Sequence, residues 1–373
     1  MKRLTVKSIQ GAYTVLVGRK LLSQAGRLIQ KHGVFSCGIV RGRTKMLVVV
    51  QKNVFRHFGA ALCRSLESAG LQVKVHLIPQ GEQAKSAKEL FRLYQRLLRE
   101  SFDRSDGLLA LGGGVTGDLC GFAASTYLRG IALVNVATTL LAQVDSSVGG
   151  KTGINLSEGK NLIGTFYPAR LVLADADVLE TLPDREFKAS MAEVVKYGVI
   201  RDPVLFRKLE MNVEKILRRD KAVLAEVTGA CIRIKARVVE RDEKETRGER
   251  MILNYGHTFA HAFEKGLHYK GLRHGEAVAI GMTAAGLLSR HLGLWTETPA
   301  RRQEALLQKL GLPVSLKKFS LRSRDLLQAM HHDKKKQSGR LRFVLPEKIG
   351  RVVVREGIHL KDVKKILKRI GGK

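Results

Sequence analysis

Cysteine, proline and tryptophan are scarce in this chain, with four, seven and one among 373 residues. The cysteines (Cys37, Cys63, Cys120, Cys231) stand far apart and form no CxxC pair. That argues against a disulfide framework or a thiolate zinc site and fits a reducing cytoplasm. Few prolines and no tripeptide glycine period exclude collagen-like or Pro-rich linker character. No stretch approaches the roughly 18 consecutive apolar residues that a membrane span needs. The opening Met1-Lys2-Arg3-Leu4-Thr5-Val6-Lys7 has no apolar core behind its charges and does not read as a secretory signal. Acidic residues are few as well: 34 against 66 Lys and Arg, a net charge of +32.

Such a balance raises the question of nucleic acid or of an anionic small molecule. From 331 to 373 there are 14 basic and 4 acidic residues. Val363, Ile366, Leu367 and Ile370 are spaced helically there, so the tail reads as a helix with a solvated basic face. No aromatic residues alternate with the basic ones, as a base-stacking platform requires. Nucleic acid is therefore not the expected partner.

Hydrophobic residues make up 44% of the chain, a globular composition, and the length suits about two domains. Short β-rich runs at 45–50, 73–78, 107–111, 131–136 and 171–174 alternate with helical stretches such as 86–99. This pattern predicts βαβ units and a largely parallel sheet. From about Thr181 helical periodicity dominates, and a short strand pair follows at 341–345 and 351–354. The expected architecture is an N-terminal Rossmann-like α/β domain over 1–178 and a mainly helical domain over 179–373.

Two glycine-rich segments stand out. Asp106 to Leu119 reads as strand, tight loop, helix, and Gly112, Gly114 and Gly117 satisfy GxGxxG. Such glycines let a backbone approach a pyrophosphate at a helix N-terminus; a ligand-free turn reads the same way. Ser147-Val148-Gly149-Gly150-Lys151-Thr152-Gly153 fails the P-loop pattern because Asp145 stands where a glycine is required. It reads as a flexible loop whose Lys151, with Lys160 and Asn161 behind it, suits an oxyanion-rich ligand.

In the helical half, a wheel over 187–200 puts Phe187, Met191, Val194, Val195 and Gly198 on a core face. Glu193, Lys196 and Tyr197 fall opposite, as a solvated face with an i,i+3 ion pair would. His257, His261 and Glu264 share one face of a later helix at i, i+4, i+7. HExxH is absent, since position 258 is Thr. His274 opens a segment apolar nearly all round, which should lie in a core. Two imidazoles and one carboxylate with an open position would make a sensible zinc set, but the long spacings give it little specificity and leave structural histidines the readier reading.

Together these segments resemble the 3-dehydroquinate synthase family, the second step of the shikimate pathway to chorismate and the aromatic amino acids. The resemblance rests on Gly81-Glu82-Gln83-Ala84-Lys85, Gly112 to Gly121, Thr138 to Ser147, Gly149 to Asn155, Gly159 to Gly164, Ala192 to Gly198, Leu253 to Ala262 and His274 to Val278, in family order. It implies an NAD-binding α/β domain, a helical metal-binding domain, NAD and one divalent ion, Zn²⁺ or Co²⁺. The implied reaction converts 3-deoxy-D-arabino-heptulosonate 7-phosphate to 3-dehydroquinate and phosphate through transient oxidation, phosphate elimination, re-reduction and an intramolecular aldol closure. Glu193, His257 and His274 match the family's metal ligands. Gln80, Gly81, Glu82, Gln83, Ala84, Lys85, Gly114, Val115, Thr116, Gly117, Asp118, Thr138, Thr139, Lys151, Lys160, Val178, Leu179, Glu180 and Thr181 match its NAD contacts. Asp145, Lys151, Asn161, Lys196, Lys235, Arg250, Asn254 and His261 match the substrate shell, with Lys334 the basic residue chosen from 334–335. Arg129 matches a phosphate-binding residue lent by a neighbouring subunit, which implies a homodimer.

The chain departs from the pattern in places. Gln51 stands where an acidic residue is usual near the adenine ribose, and one extra residue lies between Lys235 and Arg250. The rivals are another NAD- and metal-dependent sugar-phosphate cyclase, such as one making 2-deoxy-scyllo-inosose, and a polyol dehydrogenase, which would lack the phosphate-facing Arg and Lys set.

Overall fold

Runs such as Leu47-Val48-Val49-Val50 carry no polar face, so as strands they must be covered on both sides. In the computed structural model, which describes residues 1–336 and 341–372 and only the backbone of 331–336, all four are completely buried. The chain divides into two compact units: Met1–Leu182 with Lys221–Lys244, and Pro183–Asp220 with Glu245–Lys373. A single break after residue 178 would instead place Lys221–Lys244 in the second unit.

The first unit holds strands β1 (Lys2–Ser8), β2 (Gly11–Gly18), β3 (Lys45–Gln51), β4 (Gln72–Ile78), β5 (Gly107–Gly112), β6 (Ala132–Ala137), β7 (Lys151–Leu156), β8 (Gly159–Phe166) and β9 (Leu171–Asp175). Seven form one sheet in the order β1-β2-β9-β6-β5-β3-β4. Only β1 and β2 pair antiparallel in it; the other neighbours are parallel. The five β-rich runs read from sequence are β3, β4, β5, β6 and β9. Ranked by chain position they lie in the order 2-1-3-4-5, a doubly wound arrangement. Its strand order reverses at β3 and β5, and ligands bind at the carboxyl ends of strands at such a point.

The pleat sends alternate side chains to opposite faces. Met46, Val48 and Val50 join one core with Leu62 and Leu66 of helix Lys52–Ser68. Leu47 and Val49 join the other with Leu119 and Ala123 of helix Gly114–Thr126. Ile232 and Ala236 of helix Lys221–Arg241 belong to that second core, so this helix packs with a sheet far from it in sequence. The segment at 151–153, expected as a flexible loop, is instead the start of β7, which pairs antiparallel with β8. Thr152 and Thr165 face each other there, their hydroxyls 2.9 Å apart.

The second unit is mainly helical. Asp202 caps helix Pro203–Met211, its Oδ1 accepting from the Val204 and Leu205 amides at 3.0 and 2.9 Å, with Pro203 in the first turn. Helix Asp184–Ile200 corrects the expectation of a solvated face. Glu193, Lys196 and Tyr197 are at most 2% exposed, like the apolar residues opposite them. Helix His274–His291 is buried nearly throughout, as its composition suggests. The tail hairpin forms from β10 (Phe343–Lys348) and β11 (Arg351–Arg355). Helix Leu360–Arg369 buries Val363, Ile366 and Leu367 and leaves its lysines in solvent.

Candidate active site

Three ionisable side chains converge inside the second unit. Glu193 comes from the middle of helix Asp184–Ile200, His257 from the first residue of helix His257–Gly266, and His274 from the first residue of helix His274–His291. One ligand atom from each lies within 4.8 Å of the others. Glu193 Oε1 is 3.4 Å from Nε2 of His257 and 3.6 Å from Nε2 of His274. It makes no hydrogen bond although it is fully buried. The other ring nitrogens are engaged. Nδ1 of His257 is 3.2 Å from the Tyr255 carbonyl, and Nδ1 of His274 is 3.1 Å from Glu264 Oε1. A carbonyl only accepts, so Nδ1 of His257 carries a proton, and its Nε2 faces Glu193.

A fully buried carboxylate oxygen that makes no hydrogen bond, with two imidazole nitrogens turned towards it, is unfavourable unless a cation stands among them. Two nitrogens and one oxygen suit Zn²⁺ or Co²⁺ and leave a position open. Lys196, one turn along from Glu193, places its ammonium on Glu193 Oε2. Burial alone would raise the Glu193 carboxyl. The Lys196 ammonium, followed by His257 and His274, holds it well below the usual carboxylate range. Burial would lower His274, but the Glu193 and Glu264 carboxylates beside it raise it to about 10.

Close helix crossings set this geometry. Gly275, beside His274, lies so near the backbone of Ala189 that a Cβ would overlap its carbonyl. Gly256, at φ +82°, would put a Cβ 2.9 Å from the Met282 amide nitrogen and 3.0 Å from the Val278 carbonyl oxygen. These contacts bring together the three helices that carry Glu193, His257 and His274.

In the first unit, β5 runs into Gly112-Gly113-Gly114 and helix Gly114–Thr126. Gly112, Gly113, Gly114, Gly117, Asn135, Ser146 and Ser147 are among the residues lining a hollow there, at the strand ends beside the reversal point. A Cβ on Gly112 would strike the Thr116 side chain. Thr138 donates its amide to the Gly112 carbonyl at 2.9 Å. Lys85 is nearly buried, 2.6 Å from Asp118 Oδ2, and also reaches Asn161 Oδ1. Asn155 extends this network to Glu82 at 2.8 Å and to the Asn161 amide at 2.9 Å. Burial raises Asp118 above the usual carboxylate value despite Lys85.

The 3-dehydroquinate synthase N-terminal family matches residues 75–189, and the 3-dehydroquinate synthase C-terminal family matches 190–336. The chain belongs to the 3-dehydroquinate synthase family. A curated 3-dehydroquinate synthase of Picosynechococcus sp. is 45% identical over 351 residues, covering 94% of this chain and 93% of its own. Among solved structures, a 2-deoxy-scyllo-inosose synthase complexed with carbaglucose-6-phosphate, NAD⁺ and Co²⁺ superposes with a TM-score of 0.87 at 25% identity, covering 99% of this chain and 100% of its own. The 2-epi-5-epi-valiolone synthase of Streptomyces hygroscopicus, with NAD⁺ and Zn²⁺ bound, does so with 0.86 at 26% identity and 99% of each chain.

Other residues expected from the family pattern are placed as follows. Asp145 and Lys235 meet in an ion pair in the first unit, where Lys235 Nζ also donates to the Asp145 carbonyl at 2.6 Å. His261 is exposed, its ring 5.7 Å from that of His257. Asn254 is exposed at the end of the turn Glu249–Asn254. Arg129 is exposed at φ +65°, directly after Leu128 at +50°, a strained corner. Lys151 and Lys160 are exposed. Of 178–181, Val178 and Leu179 are core residues, whereas Glu180 pairs with Lys221 at 2.9 Å. The Lys334 side chain lies outside the described residues.

Two partners went unread in the sequence. Arg250 is 5% exposed and has Glu245 Oε1 3.1 Å from its Nε. Glu245 lies in the loop with the extra residue, which turns through left-handed backbone at Glu245 and Gly248. Glu264 was legible as a face-mate of His257 and His261, but its hold on His274 was not.

Proposed function

We propose that this chain converts 3-deoxy-D-arabino-heptulosonate 7-phosphate to 3-dehydroquinate and phosphate. The observation that carries this reading is the Glu193–His257–His274 set with Lys196 packed against it, in a chain of this family. The relatives with that activity in their names are far more similar to it than the related cyclases of known structure.

Bound NAD⁺ would supply a reversible hydride acceptor and the divalent ion a Lewis acid that favours ionisation of substrate hydroxyls. Glu193, His257 and His274 hold the ion. The Gly114–Asp118 turn takes the pyrophosphate, with Thr138, Thr139 and the Glu82–Lys85 segment positioning the rest of the nucleotide. Lys196, paired with Glu193, binds an anionic substrate group. Arg250, oriented by Glu245, binds a carboxylate or phosphate bidentately. His261 and Asn254 hydrogen-bond substrate oxygens, and His261 offers a site for a hydroxyl proton. Asp145 and Lys235 fix each other and present one acceptor and one cation; Asn161, Lys151 and Lys334 complete the polar shell. Arg129, exposed on its strained corner, is lent to a second copy, so the working form is a homodimer. No disulfide joins its four cysteines, which suits work in the reducing cytoplasm.

The test is a phosphate-release assay with the heptulosonate phosphate. Dehydroquinate and phosphate should appear together, cease on chelation, and resume on addition of Zn²⁺ or Co²⁺. Phosphate release that survives full chelation contradicts the reading.

A further inference from the structure

Two imidazoles face Glu193, and they are not supported alike. Nδ1 of His257 meets a backbone carbonyl, Tyr255, at 3.2 Å, whereas Nδ1 of His274 meets a carboxylate, Glu264 Oε1, at 3.1 Å. Glu264 stands seven residues along from His257 on the same helix, and its side chain is only 13% exposed. We propose that Glu264 is a positioning residue for metal capture: it holds His274 in the tautomer and rotamer that present Nε2 to the ion.

Three features support this. His274 opens its helix and its side chain is 38% exposed, so packing alone does not fix its ring. Tyr255 is anchored as a rigid acceptor for His257, its hydroxyl donating to Gln303 Oε1 at 2.7 Å inside the core; His274 has Glu264 in that role. A carboxylate polarises an imidazole more strongly than a carbonyl does, and such outer partners are worth roughly 10–100-fold in metal affinity. His274 is therefore the stronger of the two nitrogen donors, and Glu264 the residue on which ion retention depends.

The inference rests on the metal reading above, and the test separates the two. Zn²⁺ affinity is measured on the full-length protein by competition with a chromogenic chelator, for wild type, Glu264→Ala and Glu264→Gln. The visible spectrum of the Co²⁺ form is recorded alongside. Glu264→Ala should bind Zn²⁺ roughly 10–100-fold more weakly and change the Co²⁺ spectrum, with NAD⁺ affinity unchanged. Glu264→Gln, whose amide oxygen still accepts from Nδ1–H, should recover most of the affinity and the spectrum, which a general packing role would not produce. Should Glu264→Ala fail to fold, Glu264→Gln decides: Zn²⁺ binding weaker by about threefold or more supports the proposal, because a neutral acceptor raises donor strength less. A folded Ala variant within twofold of wild type overturns it, as does an equally unchanged Gln variant where Ala does not fold. A wild type that binds neither ion overturns the metal reading itself.

Discussion

Glu193 is the residue on which the rest depends. A carboxylate with no solvent exposure is unfavourable unless cations surround it, and its neighbours are one ammonium and two imidazoles. Removing one imidazole should leave the helices packed, because His257 lies at a helix start and is not one of the buried apolar core residues. His257→Ala is expected to fold with a near-native melting temperature yet to lose Zn²⁺ affinity and turnover by more than about 100-fold, since outer-shell losses alone can reach that. Metal analysis of the purified variant with a steady-state assay checks this.

In the proposed metal site protons would compete with the ion at His274, which in the metal-free protein is raised to about 10 by Glu193 and Glu264. Apparent metal affinity should therefore rise with pH, by up to about tenfold per unit below that value, one proton leaving per ion bound. Chelator competition at several pH values measures the slope. For the metal-free protein the sign reverses. A raised histidine stabilises the fold fully below its unfolded value of 6.5 and ceases to do so as pH rises through about 10.

At the scale of elements, the site depends on how closely helices approach. Gly275→Ala would drive helix His274–His291 off helix Asp184–Ile200, the one carrying His274 and the other Glu193 of the proposed metal set. Overpacking of this kind costs about 1–3 kcal/mol. A lower melting temperature with weakened Zn²⁺ binding is the expected result, read by thermal denaturation and metal titration; an Ala variant that keeps both would mean the crossing is not constrained. The strands β3, β4, β5, β6 and β9 were legible because buried parallel strands are apolar throughout and bounded by turns. Helix Asp184–Ile200 was not, because a wheel cannot tell a solvated polar face from one turned onto an internal site. Lys151 reads as a loop residue from sequence because glycines mark both turns and hairpin strands. Helix Lys221–Arg241 shows no sign in its own sequence of the sheet it packs on.

Across the whole molecule, +32 charges create a field that draws anions. The proposed substrate carries a carboxylate and a phosphate. Raising ionic strength should therefore lower kcat/KM, on the order of tenfold between dilute and concentrated salt, with kcat little changed. A salt-independent kcat/KM would show that the charge serves another purpose. Sedimentation analysis tests the dimer that Arg129 implies: a monomer at assay concentration with full activity would remove that residue from the site.

One measurement bears on the account more directly than any assay, namely X-ray absorption at the zinc edge of the purified holoenzyme. Two imidazole nitrogens and a carboxylate oxygen at about 2.0–2.2 Å, with no sulfur, are the result that follows from Glu193, His257 and His274 sharing one ion. A sulfur scatterer near 2.3 Å, or a single histidine in the shell, would contradict it.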